Sequence, residues 1–382
     1  MSDLVVHAYN VLFGDAVLVL VPDRDPSTGA EVTRSILIDV GNVLGGAGGE
    51  DNVLAEVLGD VQERLGGRPV DLYVMTHEHL DHVQGLPYAA TKSIEFEVEH
   101  AWLTASSEPG YYERFPEARR KRLQAERAYF DTQRLMLDQQ VSNHWLQVMM
   151  ANNNPRSTRD CIDFLGRLAH HSHYVHRETA LARGINHTFH EASFSILAPE
   201  ADTSIYYGRF SPAASPDGGQ ALPVTPDIAA PGGVDPEAFQ FLIESWHNDS
   251  LSNIFTIDRA ANNTSVVFSL EWRGWRLLFT GDAELRSWRT MHAAGLLQPV
   301  HFLKVGHHGS HNATPDDSIL DAILPRVRAD GRPVTALVST CEEVYEGVPH
   351  NSTLDRIRSR CNELLSTTDA SQGKAITVTF PG

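Results

Sequence analysis

Residues 76–82 hold several side chains that commonly bind metals. They comprise three histidines and one aspartate, at His77, His79, Asp81 and His82. Imidazole nitrogens and carboxylate oxygens are typical ligands of divalent cations. Alternation along an extended backbone puts His77 and His79 on one side, whereas the last two ligands turn toward a neighbouring position. The spacing therefore predicts two adjacent divalent cations, each with an open position for water.

Short apolar segments that end in turn-forming residues predict the strands that position this cluster. In residues 1–90 these segments are LVVHAYNV, AVLVLV, SILIDVGN and VDLYVMTH. In residues 251–382 they are TSVVFSLEW, WRLLFTGD, HFLKVGHH, TALVST and AITVTF. Before the fourth segment, NVLAEVLGDVQERLGG has apolar residues at helical spacing and a Gly-Gly stop, which predicts a helix. The alternation of strands and helices predicts a layered α/β domain.

The middle of the chain has a different texture. From Tyr111 to about Asn152 it is rich in charged residues and contains no proline after Pro116, which predicts helices. The segment CIDFLGRLAHHSHYVH predicts another helix, and the turn-rich residues 212–236 predict a surface loop. We therefore expect a single domain over residues 1–382, with residues 91–250 as a helical and loop insertion.

The HxHxDH pattern at the end of a strand resembles the metallo-β-lactamase superfamily. The resemblance implies a four-layer αββα sandwich with metals at one edge. LFTGD is similar to the family's strand that ends in Gly-Asp, and this similarity implies that Asp282 bridges two metals. FLKVGHHGS, together with NNTSVVFSLEWRGWRLLFTGDAE, is similar to the soluble hydrolase domain of bacterial competence DNA-uptake proteins. That branch implies one histidine here as a metal ligand, with His307 preferred and His308 the alternative.

Segments near both ends of the chain extend the resemblance. NVLFGDA, which contains Asp15, is similar to the opening strand and Gly-Asp-Ala turn of the competence-type branch. IDVG places Asp39 where the family has an aspartate that orients the site histidines. YEGVPH resembles a late segment whose histidine lies at the mouth of the site, which implies a catalytic role for His350. The order here is Pro-His, whereas the branch has His-Pro, and an exposed loop histidine is the alternative.

One histidine that is common in the superfamily is absent. Most members have Gly-His-Thr one strand before the bridging aspartate, whereas this chain has AANNTS, as the competence-type branch does. We expect Asn263 and Ser265 of this segment to lie beside the metal ligands, where an asparagine oxygen could replace the imidazole. His187 and His247 are other candidate replacements, although a lone histidine is more often an ordinary one.

Two further clusters have simple interpretations. His170, His171, His173 and His176 have the spacing of metal ligands, but a polar face of the insertion is favoured. The basic residues 119–122 are surrounded by acidic ones, which predicts a solvated helical face. A lid that contacts phosphates is the alternative for these basic residues. The three cysteines are odd in number and widely spaced, which favours neither disulfides nor a thiolate zinc site.

Composition limits the possible partners. Hydrophobic residues make up 42% of the 382 residues, enough for a sizeable core. The chain has 31 basic and 49 acidic residues, and the resulting net charge of −18 disfavours stable binding of duplex DNA. The sequence has no apolar run of the roughly 18 residues that a membrane helix needs and no secretory signal pattern. We therefore expect a cytoplasmic protein without a membrane partner.

These observations predict a metal-dependent hydrolase that uses a metal-activated water. Zinc is favoured and manganese is the alternative. We expect Asp81 or Asp282 to accept the released proton, and a protonated histidine among 307, 308 and 350 to assist the leaving group. The resemblance implies a phosphodiester, and the acidic charge favours a small molecule or short oligonucleotide as substrate. Hydrolysis of a carboxylic ester, lactone or lactam is the alternative. A non-catalytic binding or regulatory module is the second alternative, because the Gly-His-Thr histidine is absent.

Overall fold

The computed structural model describes residues 2–46, 52–138, 144–179, 189–210, 249–341 and 348–382. In this part of the chain, strands and helices build two mixed β-sheets, which confirms the predicted α/β class. The strands are β1 (Leu4–Tyr9), β2 (Ala16–Arg24), β3 (Glu31–Val40), β4 (Val70–Val74), β5 (Val98–Thr104), β6 (Ala169–Val175), β7 (Ala192–Ala198), β8 (Val267–Trp272), β9 (Trp275–Phe279), β10 (Phe302–Val305), β11 (Thr335–Val338), β12 (Glu363–Ser366) and β13 (Ala375–Phe380). The α-helices are α1 (Val43–Gly46), α2 (Asn52–Leu65), α3 (Leu80–Val83), α4 (Gly85–Thr91), α5 (Tyr111–Arg114), α6 (Pro116–Asp138), α7 (His144–Asn152), α8 (Pro155–Leu168), α9 (Asp249–Asn263), α10 (Leu285–Ala293), α11 (Asp317–Ile323) and α12 (Asn351–Arg358).

Each sheet combines antiparallel and parallel pairs. The first sheet has the order β13-β1-β2-β3-β4-β5-β6, with antiparallel pairs as far as β3 and parallel pairs from β3 to β6. The second sheet has the order β12-β11-β10-β9-β8-β7. Its pairs are parallel from β12 to β9 and antiparallel from β9 to β7. The parallel strands of one sheet end at the same edge, so the loops that follow them are brought together.

The two sheets pack face to face. Their shared interior contains Trp102 from the first sheet and Phe268 and Phe302 from the second. Alternation along β4 directs Leu72 to this interior and Tyr73 to the opposite face. Helices α2, α4 and α8 cover that outer face of the first sheet, and α10, α11 and α12 cover the outer face of the second. Both faces of each sheet are therefore buried, which explains why the strands are rich in apolar residues.

The predicted insertion at residues 91–250 is wrong in part. Within this range, β5 and β6 belong to the first sheet and β7 belongs to the second. The segment after Leu168 forms strand β6, because its backbone pairs in parallel with β5 and such tertiary pairing overrides a weak helical pattern. Residues 111–168, with helices α5 to α8, are called the helical segment below. The predicted loop at 212–236 lies outside the described residues, and the single-domain organisation stays a prediction.

Candidate metal centre

The predicted ligands follow the carboxyl end of β4. An extended segment after Val74 carries His77 and His79, and the first turn of α3 carries Asp81 and His82. All four side chains are buried, with at most 3% of any of these residues exposed. A short extended segment followed by a helical turn therefore brings four side chains from a span of six residues into one small volume.

The second sheet contributes two more side chains to this volume. Asp282 follows β9 and His308 follows β10, and both are buried. One ligand atom from each of Asp81, His82, Asp282 and His308 lies within 4.8 Å of the others. This group could hold a metal ion, since buried imidazole and carboxylate groups in close contact are typical of such sites.

Hydrogen bonds on the outer side of each ring decide which nitrogen faces the cluster. Nδ1 of His308 lies 3.1 Å from the carbonyl oxygen of Ser339, which can only accept a hydrogen bond. Nδ1 of His82 lies 2.8 Å from Oδ2 of Asp39, so it donates in the same way. In a neutral ring, Nε2 then presents its lone pair inward. Nε2 of His308 lies 3.1 Å from Oδ2 of Asp81, and two acceptors at this distance require a proton or a cation between them.

Hydrogen bonds on the outer side also orient the rings of His77 and His79. The Thr76 hydroxyl donates to Asp39 at 2.6 Å, so it accepts from Nδ1 of His77 at 3.1 Å. Nε2 of His79 donates to Oδ1 of Asn153 at 2.8 Å. The inward atoms are therefore Nε2 of His77 and Nδ1 of His79, which lie 3.0 Å apart. Two imidazole ligands of one tetrahedral zinc ion are separated by about 3.3 Å, so this pair also converges on a point that a cation could occupy.

Two buried atoms of the cluster have no hydrogen-bond partner among the residues that the structure describes. They are Nε2 of His82 and Oδ1 of Asp81. An unsatisfied buried polar group costs about 1–3 kcal/mol, and coordination to a cation would remove that cost. Asp282 lies between the two histidine pairs, since its Oδ2 is 3.3 Å from Nε2 of His82 and 4.0 Å from Nε2 of His77. The donor set therefore fits divalent cations.

Electrostatics within the cluster act in opposite directions on its members. Burial opposes the charged ring of His82, but the carboxylates of Asp81 and Asp282 hold its pKa well above the usual value. Burial likewise opposes the charged form of Asp282, but His82 holds the pKa of that carboxyl well below its usual range. Burial lowers the pKa of His77 well below the ordinary value. Protons and cations would therefore compete for the same inward nitrogens.

The structure corrects the preference for His307 as the metal ligand. His307 and His308 lie beyond the end of β10, in a short 3₁₀ turn where both residues have left-handed φ angles of 46° and 53°. Strand alternation does not apply there, and the turn directs His308 into the cluster. The backbone N–H of His307 donates to Oδ1 of Asp282 at 2.8 Å. Its ring contacts the Ser310 hydroxyl at 3.1 Å and lies 3.7 Å from Glu284.

Two predicted supporting aspartates contact residues 76–82, which are called the metal loop below. Asp39 accepts hydrogen bonds from the backbone and hydroxyl of Thr76 and from His82, so it orients the His82 ring. Asp15 instead forms a buried ion pair with Lys304, with Nζ 2.9 Å from its Oδ2. The backbone N–H of Asp15 donates to the carbonyl of Asp81 at 3.0 Å. Asp15 therefore acts on the backbone that carries the ligands.

Ser265 and Asn263, which lie in the segment where the superfamily histidine is absent, form hydrogen bonds with backbone groups of neighbouring segments. The Ser265 hydroxyl accepts from the backbone N–H of Asp282 at 3.0 Å, so it helps to hold the bridging candidate. Oδ1 of Asn263 accepts from the backbone N–H of Ser287, and its amide donates to the Arg259 carbonyl. Asn263 therefore holds α9 and α10 together and forms no hydrogen bond to a metal ligand in the described residues. The alternatives at positions 187 and 247 lie outside the described residues.

Two other predicted groups contact residues that adjoin the cluster, since the backbone N–H of His350 donates to the Gly309 carbonyl at 3.0 Å and Arg122 pairs with Glu78. His350 precedes α12, where its Nδ1 contacts the Thr353 hydroxyl at 2.8 Å and its ring packs against His311. Part of the preceding motif, residues 345–347, lies outside the described residues. In the basic run, Arg122 pairs with Glu78 at 2.9 Å and Arg120 pairs with Glu117.

The histidines predicted as a polar helical face lie elsewhere in the fold than expected. Residues 170, 171 and 173 belong to strand β6. The rings of His171 and His173 stack on His100 of the neighbouring strand, with ring centroids 5.0 and 5.7 Å apart. Stacked rings do not direct their nitrogens to one point, so they differ from the convergent rings after β4.

Two asparagines are functional candidates that the sequence did not suggest. Oδ1 of Asn152 accepts from the backbone N–H of Asp81 at 3.0 Å, and Asn153 contacts His79. The only signal in the sequence is a run of three asparagines before Pro155, a pattern typical of a helix boundary. Their contact with the metal loop depends on the tertiary fold.

Comparisons with known proteins identify no family for this chain. No protein-family model matches the chain, and no curated protein matches it. Among the helices of the described ranges, none combines the length and apolar character required to cross a bilayer.

Proposed function

We propose that the chain is a metal-dependent hydrolase of the metallo-β-lactamase fold that uses a metal-activated water. The observation that carries this proposal is the arrangement of four buried histidines, each held by a partner outside the cluster so that one nitrogen faces inward. Two facing mixed sheets with helices on their outer faces support the fold assignment. Ligands that follow the carboxyl ends of strands in both sheets support it further.

Two cation positions account for the donor atoms. Asp81, His82 and His308 would hold one cation, and His77 and His79 would hold the other. Asp282 would bridge them, because a carboxylate can offer one oxygen to each of two cations roughly 3.5–4 Å apart. The predominance of imidazole favours zinc, and manganese is the alternative.

The residues around these positions can handle the protons of a hydrolysis. Bound divalent cations lower the pKa of a water molecule toward neutrality and polarise a phosphoryl or carbonyl oxygen. Asp81 can accept the proton of that water through its unpartnered Oδ1. Burial opposes the charged ring of His307, but Asp282 and Asp258 raise its pKa above the usual value. A protonated His307 can then donate to the leaving group.

A phosphodiester is the proposed substrate class. Its support is the similarity of the GHHGS segment and the segment that ends at Asp282 to the competence-type hydrolases. The net charge of −18 favours a small molecule or short oligonucleotide over long nucleic acid. Fold alone does not choose between electrophiles, so the assay below includes carboxylic substrates.

The test compares four substrate classes with purified protein that is supplied with zinc and then with manganese. The substrates are bis-p-nitrophenyl phosphate, a carboxylic ester, a lactone and a β-lactam, and Asp282→Ala is the control variant. We expect turnover of the phosphodiester that falls by at least about 100-fold in the variant, since both cations lose a ligand. Turnover of carboxylic substrates alone would refute the phosphodiester assignment. No turnover and no bound metal would indicate a binding module.

A further inference from the structure

The helical segment holds the metal loop at two points. Helix α7 ends at Asn152, and Asn153 and Asn154 follow it. Oδ1 of Asn152 accepts from the backbone N–H of Asp81 at 3.0 Å. Oδ1 of Asn153 accepts from Nε2 of His79 at 2.8 Å. Two successive side chains at the end of one helix therefore reach two residues of the loop, although they are separated from it by more than 70 residues of chain.

The direction of the Asn153 amide is fixed by its other contacts. Its Nδ2 donates to the carbonyl of Met149 at 3.1 Å and to Oδ1 of Asp258 at 2.9 Å. Both partners only accept, so the oxygen of the amide faces His79. Asp258 lies on α9, and its second oxygen accepts from Asn262 at 3.1 Å. The carboxylate is thus held behind the amide, 3.8 Å from Nε2 of His79.

An acceptor at Nε2 determines which nitrogen of His79 can bind a cation. A neutral imidazole has one donor and one acceptor nitrogen. Donation from Nε2 leaves the lone pair on Nδ1, which lies 3.0 Å from Nε2 of His77. The negative charge of Asp258 raises the basicity of the His79 ring, as carboxylates behind metal-bound histidines do.

We infer that Asn153, backed by Asp258, is a positioning residue that fixes His79 for the cation position shared with His77. The inference rests on the proposed metal centre. It makes the helical segment a structural part of that centre, because Asn153, directly after α7, reaches His79 from outside the two sheets. Loss of this contact then weakens one cation position and leaves the position of Asp81, His82 and His308 intact.

The test measures zinc bound per chain at a series of fixed free zinc concentrations in the full-length protein. We expect two zinc ions in the unaltered chain. In Asn153→Ala, we expect one position to be retained and the other to be weakened by about 10- to 100-fold. Asn154→Ala is the matched control, because Asn154 accepts from the backbone N–H groups of Arg156 and Ser157 and caps α8. This control variant is expected to bind two zinc ions with unchanged affinity.

A reciprocal double variant separates positioning from general stability. Asn153→Asp combined with Asp258→Asn keeps an oxygen toward His79 and reverses the donor between the two side chains, while it removes the donation from position 153 to the Met149 carbonyl. We expect it to bind two zinc ions, whereas Asp258→Asn alone weakens one position. Circular dichroism checks the fold of each variant, and if Asn153→Ala does not fold, the comparison between Asp258→Asn and the double variant decides.

Four outcomes would overturn the inference, and they differ in what they leave standing. The role of Asn153 would be refuted, and the metal centre would stand, if Asn153→Ala bound two zinc ions with unchanged affinity. The same conclusion would follow if the double variant failed to recover the weakened position. A single zinc ion in the unaltered chain would refute the His77–His79 position and leave the other one. No zinc in the unaltered chain would refute the proposed metal centre together with this inference.

Discussion

Each histidine of the proposed metal centre is fixed by a partner on the side of its ring that faces away from the cluster. The partners are the Thr76 hydroxyl for His77, the Asn153 amide for His79, the Asp39 carboxylate for His82 and the Ser339 carbonyl for His308. Asp39 lies in β3, and the other three partners lie shortly after β4, α7 and β11, so the fold itself sets the ring orientations. Such pre-organisation typically raises metal affinity.

At the residue scale, the two neighbouring histidines after β10 should give different phenotypes. His308→Ala removes an inward nitrogen 3.1 Å from Oδ2 of Asp81, so we expect the affinity for one cation to fall by at least about 100-fold. His307→Ala leaves every inward nitrogen in place and should retain both cations. We expect its turnover to fall by about 100-fold, because it lacks the proposed proton donor. Zinc titration and steady-state kinetics on the same preparations measure both effects.

The reverse pattern would contradict this distinction. If His307→Ala lost a cation and His308→Ala kept both, His307 would be the metal ligand, as the sequence resemblance implies. Equal loss of a cation in both variants would indicate that the turn at residues 307–309 acts as a unit.

At the element scale, the start of α3 depends on its close contact with the end of β3. A Cβ atom on Gly41 would lie 2.2 Å from the carbonyl carbon of Asp81 and 2.4 Å from the backbone nitrogen of His82. Both are backbone atoms, so a larger residue can be accommodated only by displacement of the helix that carries two ligands. The contact therefore couples backbone packing to metal binding.

Gly41→Ala should lower both the stability of the fold and the affinity for metal. We expect a loss of about 2–4 kcal/mol in the free energy of unfolding, because backbone atoms must move to relieve the clash. Urea unfolding in the presence of a chelator measures this loss separately from any metal effect. Gly59→Ala in α2 is the matched control, since a Cβ there meets nothing within 4 Å. It should stabilise the chain by about 0.5–1 kcal/mol, and equal destabilisation by both variants would refute the steric argument.

At the scale of the whole molecule, the candidate metal centre joins the two sheets. Asp81 and His82 follow a strand of the first sheet, whereas Asp282 and His308 follow strands of the second. The buried ion pair between Lys304 and Asp15 joins the same two sheets nearby. A cation bound by ligands from both sheets would add to this connection in the folded state alone.

Removal of metal should therefore lower global stability. At a free zinc concentration 100 times the Kd, one bound cation adds about 2.7 kcal/mol to the free energy of unfolding. We expect EDTA to remove at least that amount, as measured by urea unfolding with and without added zinc. His308→Ala should show a smaller response to EDTA because it lacks one ligand. An identical unfolding curve with and without EDTA in the unaltered chain would argue against a metal that joins the sheets.

The sequence alone predicted most strands of both sheets. Those strands are apolar segments bounded by turn residues, and this local pattern follows from their burial between layers. The strands β5, β6, β7 and β12 escaped prediction. AHHSHYV of β6 is largely polar and ELLS of β12 is only four residues long, and β5 and β7 lie in the range that was predicted as an insertion. Their strand conformation depends on pairing with neighbours that are distant in the chain, and such pairing leaves little local signal.

The same contrast holds for the metal centre. The sequence determined the four candidate ligands at 77–82, because ligands within six residues are brought together by local backbone geometry. Only the tertiary structure places His308, rather than His307, beside Asp81, because this placement depends on a left-handed turn and on a contact between residues 227 positions apart in sequence. Only the tertiary structure brought Asn153 to His79, because nothing in the sequence around an asparagine at a helix boundary indicates which distant side chain it will contact.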